Sequence, residues 1–184
     1  MDYFTSPRTS YIEIGNIYFW TATINNWYKL LEENMLKQSI IDSLTYLSAK
    51  NKIDVYSFVI MPNHIHLIWK INELNGKETS QGSFLKFTAH EFKKYLQVNN
   101  PSFLQKFAVN ASNKQYEFWQ RDPMAIHLYK RDVALQKLQY IHNNPQAKHW
   151  NLCAEPVQYF YSSAKFYETG VDDFGFLKHV MDVF

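Results

Sequence analysis

The sequence predicts an α+β fold: a ferredoxin-like or RRM-like antiparallel sheet with helices packed on one face, plus a C-terminal helix. Three observations point there. Aromatic and β-branched runs alternate with helical apolar spacing in the order strand, helix, strand, strand, helix, strand, helix. Two central strands are separated by Pro62-Asn63, a turn signal between apolar runs. The 184 residues contain no repeat or low-complexity tract, and they suit one domain over 1–184 with a sizeable core.

The elements follow in chain order. Ile17 to Ile24 reads Ile-Tyr-Phe-Trp-Thr-Ala-Thr-Ile, a composition that favours a strand. Leu30 to Ala49 has helical spacing, with Leu31, Met35, Ile40, Leu44 and Leu47 on one apolar stripe. Ile53–Ile60 and His64–Ile71 form the hairpin, and the polar stretch from Asn72 to Gly82 is a loop. Ser83 opens a second helix that buries Phe84, Phe87, Phe92 and Leu96, and Asn99-Asn100-Pro101 ends it. After a short apolar piece from Phe103 to Val109, Met124 to Tyr129 supplies another strand. Asp132 then caps a third helix from Val133 to Asn143, which stops at Pro145.

Composition narrows the function class. One cysteine, Cys153, excludes an internal disulfide framework and a cysteine-rich zinc site, and it fits a cytoplasmic protein. No leader and no apolar run of membrane-spanning length is recognisable, so no membrane partner is expected. The net charge of +2 hides an asymmetry. Residues 86–148 hold ten Lys or Arg against four acids, whereas both flanks are net negative. A polyanion is therefore the expected partner of the middle region.

Met61-Pro62-Asn63-His64-Ile65-His66-Leu67-Ile68-Trp69 carries the strongest chemical signal. Side chains alternate along a strand, so His64 and His66 point the same way and can hold a divalent metal. The third helix ends Tyr140-Ile141-His142-Asn143-Asn144-Pro145, and Tyr140 and Asn144, one turn apart, share a face. Asn144 suits a third metal ligand, with Tyr140 in reach of a metal-bound phosphate. Read alone, Asn144 is a helix terminus and Tyr140 a half-buried aromatic.

Together these two motifs resemble the HUH single-tyrosine transposases, and more narrowly the REP-associated tyrosine transposase group related to insertion-sequence transposases. Tyr18-Phe19-Trp20-Thr21-Ala22-Thr23, Phe118-Trp119-Gln120 and Tyr161-Ser162-Ser163-Ala164 also fit. The resemblance covers residues 10–170 and leaves 171–184 as a C-terminal tail. Two stretches depart from the family pattern. Gln146-Ala147-Lys148-His149-Trp150 stands where Val, a basic residue and Gly are usual, and Ala125-Ile126-His127 replaces an Asp-His pair.

The resemblance implies a single-stranded DNA endonuclease and strand transferase in a bacterial, nucleoid-associated setting. Its substrate would be hairpin-structured single-stranded DNA, cleaved and rejoined through a 5′-phosphotyrosine on Tyr140. His64, His66 and Asn144 would be the metal ligands, and the protein a monomer or homodimer. Mixed nitrogen and oxygen donors suit Mg²⁺ or Mn²⁺, although the ligands alone also admit Zn²⁺. Lys86, Lys93, Lys94, Arg121, Lys130, Arg131 and Lys137 are candidates for tracking the DNA backbone. Trp119-Gln120, with Phe118 and Trp150, is a candidate surface for unpaired bases. The tyrosine needs a proton acceptor, and the sequence does not single one out among His127, His142 and His149. Two rivals remain: a non-catalytic RRM-like module for single-stranded nucleic acid, and a metal-dependent hydrolase in which water attacks.

Overall fold

Aromatic and β-branched side chains suit the pleated, two-sided environment of a sheet, and Ile17–Thr23 forms the first strand, β1. The computed structural model describes residues 11–112 and 114–184. It continues with α1 (Asn34–Ala49), β2 (Ile53–Met61), β3 (His64–Ile71), α2 (Ser80–Asn99) and α3 (Pro101–Leu104). Then come β4 (Ala108–Ala111), β5 (Lys114–Tyr116), β6 (Met124–His127), α4 (Arg131–Asn143) and α5 (Ala164–Thr169). The main sheet is antiparallel with the order β2-β3-β1-β6, and β4 and β5 pair separately. Among the described residues no helix is long and apolar enough to cross a membrane.

Both faces of the sheet are covered. Tyr18, Trp20 and Ala22 of β1 join Ile65, Leu67 and Trp69 of β3 on one face, beneath Ile40 and Leu44 of α1 and Phe84 and Phe92 of α2. On the other face Phe19, Val59, Met61 and Ile68 pack beneath Ala134, Leu138 and Ile141 of α4. The two long helices thus share one face, and the helix that carries Tyr140 lies on the opposite one.

Several element ends differ from the sequence expectation. Leu30–Glu32 is a separate 3-10 turn before α1. Met35 is 67% exposed and Phe87 43% exposed, so neither lies on its helix's buried side. α2 starts at Ser80 because the Thr79 side chain caps it, accepting from Gly82 N at 3.0 Å. β6 stops at His127, and α4 begins at Arg131, with Asp132 in its first turn and not at its cap.

A bulge in β2 has a direct bearing on the site. Val55 pairs with Trp69 and Ser57 with Ile68, which leaves Tyr56 as the extra residue. Ile53 and Val55 face α1 and α2, and so do Phe58 and Ile60. The bulge resets the alternation between them, so Tyr56 and Ser57 both turn toward α4.

The open edge of β2 is covered by chain from beyond α4. Ile60 N donates to Tyr161 O at 2.9 Å and Ser163 N to Phe58 O at 3.0 Å. Further along, Leu177 bridges Val55 in parallel, and Lys178 N donates to Val55 O at 2.9 Å. Asp54 receives Lys178 at 2.6 Å and Lys70 at 2.8 Å. The acidic tail therefore docks on the body, where Phe174 and Phe176 contact Phe58 with ring centroids 5.0 and 5.8 Å away. Replacing Phe176 with Ala is expected to remove about 3 kcal/mol of stability. The test is a shift of the urea midpoint at unchanged slope; a loss below about 1 kcal/mol would mean that the tail adds little to the core.

Candidate active site

The hairpin turn that leads into His64 is unusual. Met61 pairs with His64, so the loop is only Pro62-Asn63. Proline fixes φ near −65° and so excludes the mirror-image turns that best match strand twist. Outside donors hold the turn instead: Leu31 N bonds Pro62 O and Ile24 N bonds Asn63 O, each at 2.8 Å. His64 follows at once, and both histidines are buried on the α4 face.

Each imidazole is oriented through Nδ1. His64 Nδ1 donates to Asn63 Oδ1 at 2.7 Å. His66 Nδ1 meets Thr21 Oγ1, its cross-strand partner, at 2.7 Å. Both rings are left to present Nε2, the arrangement by which second partners fix metal-binding histidines. The ring centroids lie 4.6 Å apart, and Phe19 stacks on His66 at 5.3 Å. Burial, reinforced by His149 and opposed by the neighbouring Asn144 amide, pushes the His64 pKa down to about 4. Burial, then His64 and Lys137, holds His66 well below its usual value. At neutral pH both rings are uncharged, the form that binds metal.

α4 supplies the other half. Tyr140 is 50% exposed, and its ring lies 5.2 Å from that of His66 and 6.0 Å from that of Phe19. Asn144 begins the 3-10 turn into which α4 runs, where Pro145 cannot continue the helix. Its Oδ1 and His66 Nε2 are buried without a hydrogen-bond partner. With Nδ1 donating to Thr21, His66 Nε2 has a free lone pair beside the Asn144 oxygen, so the residues fit a divalent ion. Among the described residues no three His, Cys, Asp or Glu side chains converge. A metal held here would be bound by two imidazoles and one amide oxygen.

His142 anchors this turn. Its Nε2 lies 2.9 Å from Ser163 Oγ and 3.5 Å from Ser57 Oγ, and the two hydroxyls are 2.9 Å apart. Burial pushes the His142 pKa down to about 4. The bond network ties α4 to β2 and to the start of α5, two residues from both Tyr140 and Asn144. His142 is therefore committed to structure rather than exposed beside the phenol.

The remaining candidates scatter. Lys137 is beside the site, its Nζ 4.9 Å from the Phe19 ring and 5.9 Å from that of Tyr140. Lys130, 5.7 Å from the Tyr129 ring, and Arg131 flank the start of α4. Lys86, Lys93 and Lys94 sit on α2, across the sheet from the histidines. There Lys86 pairs with Glu78 at 2.6 Å, Lys94 with Glu91 at 2.8 Å, and Lys93 lies 5.5 Å from the Tyr116 ring. Arg121 pairs with Glu117 at 3.0 Å. The expectation that Phe118 and Trp119 offer a stacking surface is corrected. Both are core residues, and Trp119 Nε1 donates to Thr88 Oγ1 at 3.0 Å. Gln120 continues the β1 edge through its backbone, donating to Thr23 O at 2.8 Å. His127 lies against Tyr18, away from the pair, whereas His149 and Trp150 line the cleft beside Tyr140.

Thr21, Asn63, Ser57 and Ser163 were not singled out by sequence reasoning as parts of the site. Thr21, Asn63 and Ser163 lie in the stretches that carry the resemblance, but nothing in the sequence states their contacts, and Ser57 is marked only by its polarity in an apolar run.

No protein-family model and no curated protein sequence matches the chain. Among solved structures it is similar to a REP-associated tyrosine transposase bound to a REP hairpin. The TM-score is 0.58 at 15% identity, over 92% of this chain and 90% of that one. The likeness is one of fold.

Replacing Ser163 with Ala removes the acceptor of Phe58 N and a partner of His142. The expected loss is about 1–3 kcal/mol, read from thermal or urea unfolding. Unchanged stability would show that the serine pair does not anchor α4.

Proposed function

We propose that the protein is a transposase-type single-stranded DNA nuclease and strand transferase acting through Tyr140. The observation that carries this reading is the half-exposed Tyr140 phenol beside two buried, unpartnered polar atoms, His66 Nε2 and Asn144 Oδ1. The fold it shares with a transposase bound to a DNA hairpin supports the substrate class.

His64 and His66 through Nε2, with Asn144 through Oδ1, would hold Mg²⁺ or Mn²⁺. Such an ion supplies Lewis-acid neutralisation of charge on the scissile phosphate. Tyr140 Oη attacks phosphorus, the bond from phosphorus to the 3′ oxygen breaks, and the net reaction passes the phenol proton to that oxygen. The products are a 5′-phosphotyrosine and a free 3′-hydroxyl. A second 3′-hydroxyl reverses the step, because the phosphodiester bond is conserved throughout. Lys137 places a cation on the Phe19 side of the phenol, where an anionic strand gains from it.

The rival RRM-like mode needs aromatics displayed on an open sheet face. Here Phe19, Trp20, Tyr56 and Trp69 are all buried beneath helices or tail. The deciding experiment incubates 3′-labelled hairpin DNA carrying an unpaired flank with Mn²⁺ and either the natural protein or Tyr140→Phe. A labelled band at protein mass on a denaturing gel is expected with the natural protein alone, lowered more than about a thousandfold by the substitution, with DNA binding kept. Free cleaved DNA from both proteins would assign the attack to water. Tight binding without an adduct would make the protein a binding module.

A further inference from the structure

The cleft beside Tyr140 has a volume of about 750 Å³, and much of its lining takes no part in the proposed chemistry. Trp27 stands at its edge, 61% exposed. Trp20 and Trp69 are fully buried and Trp119 nearly so, the usual fate of so large an apolar group.

The backbone under Trp27 is strained. Asn26 and Trp27 both have φ of 56°, a left-handed conformation that bulky residues rarely adopt. Two bonds hold it there. Trp27 N donates to Ile24 O at 3.0 Å, and Trp27 O accepts from Asn63 Nδ2 at 3.3 Å. The same Asn63 accepts from His64 Nδ1 through its other amide atom. One side chain thus orients the first histidine and holds the backbone beneath the exposed indole. Strain kept in place by its surroundings at a cleft points to function.

The opposite wall is equally specific. Gln136, Gln139, Tyr140 and Asn143 recur at helical spacing on one face of α4, all exposed and all lining the cleft. Three carboxamides around a phenol offer paired donors and acceptors without charge. A carboxamide can pair a donor and an acceptor with one base edge at once, which a phosphate, having acceptors only, cannot use. The volume is that of an ordinary ligand site.

We infer that this cleft is a nucleobase site, in which an unpaired base next to the scissile phosphate stacks on Trp27 and is read at its edge by Gln136, Gln139 and Asn143. Trp150 lines the same space, its ring 6.0 Å from His64. The inference rests on the proposed reaction for the position of the phosphate. It can nonetheless be tested separately, because binding is measured without cleavage.

The test uses the Tyr140→Phe protein and fluorescence anisotropy with hairpin DNA bearing an unpaired flank, intact or made abasic one position at a time. Adding Trp27→Gly is expected to weaken binding roughly 10- to 100-fold. Folding stability is unchanged or raised, since glycine adopts positive φ without strain. Trp27→Phe is expected to stay within about threefold of the parent. One abasic position should cost the parent as much as Trp27→Gly does, and cost the glycine variant almost nothing further. Gln139→Ala should flatten the preference among bases at that position. If Trp27→Gly binds within twofold of the parent, or if its effect adds fully to every abasic position, the base site is wrong. A protein that forms the phosphotyrosine yet ignores Trp27 keeps the chemistry and loses the base site. One that needs Trp27 and a base but forms no adduct keeps the base site and loses the chemistry.

Discussion

β3 alternates between two covered worlds. Its even-numbered residues His64, His66 and Ile68 turn toward α4, while Ile65, Leu67 and Trp69 turn toward α1 and α2. Because the period is two, a slip of one residue would move both imidazoles into the cluster of Trp20, Phe84 and Phe92, away from Thr21 Oγ1, Asn144 and Tyr140. Pairing on both flanks prevents that, with seven positions matched to β1 and eight to β2. The Tyr140 helix, the Thr21 hydroxyl and the Ser57 anchor all depend on this register, since each meets β3 or its neighbours on one face only.

The bulge at Tyr56 complements the register. Without it, Ser57 would follow Val55 onto the apolar face, and His142 would lose a partner. With it, a chain of neutral hydrogen bonds runs from β2 through Ser57, Ser163 and His142 to the last turn of α4. The donor set of His64, His66 and Asn144 is likewise neutral. Carboxylate-rich sites spend part of a cation's attraction on their own charge, whereas a cation held by the donors proposed here would keep it for an anionic partner.

Much of this was legible in the chain and some was not. The hairpin around Pro62-Asn63 and the shared face of His64 and His66 follow from the two-residue period. The proximity of Tyr140 to Asn144 follows from the helical one. Contacts between elements were hidden. Thr21 reaches His66 only because β1 lies beside β3, which no local pattern states. The spacing Ile53, Val55, Phe58, Ile60 carries the mark of the bulge, yet it reads equally well as a plain apolar run. Lys86, Lys93 and Lys94 were grouped with Lys137 by charge alone, because the sequence does not say which sheet face a helix covers. Trp119 and Trp27 show the same limit. Both are indoles near polar residues, and only the packing of α2 against one and the left-handed turn beneath the other separate a core residue from a displayed one.

The seal along β2 also sets an order of events. Tyr161, Ser163 and Lys178, whose backbones cover that edge, are made after every strand and after α4. A ribosome-bound chain that has already emerged through α4 can pair β1, β2, β3 and β6, yet β2 still presents free amides and carbonyls to its surroundings. For that interval the growing protein carries an unguarded sheet edge, the feature through which nascent chains join one another. Slow elongation past Asn143 would lengthen the exposure, and its burden would fall on yield rather than on the stability of the finished molecule.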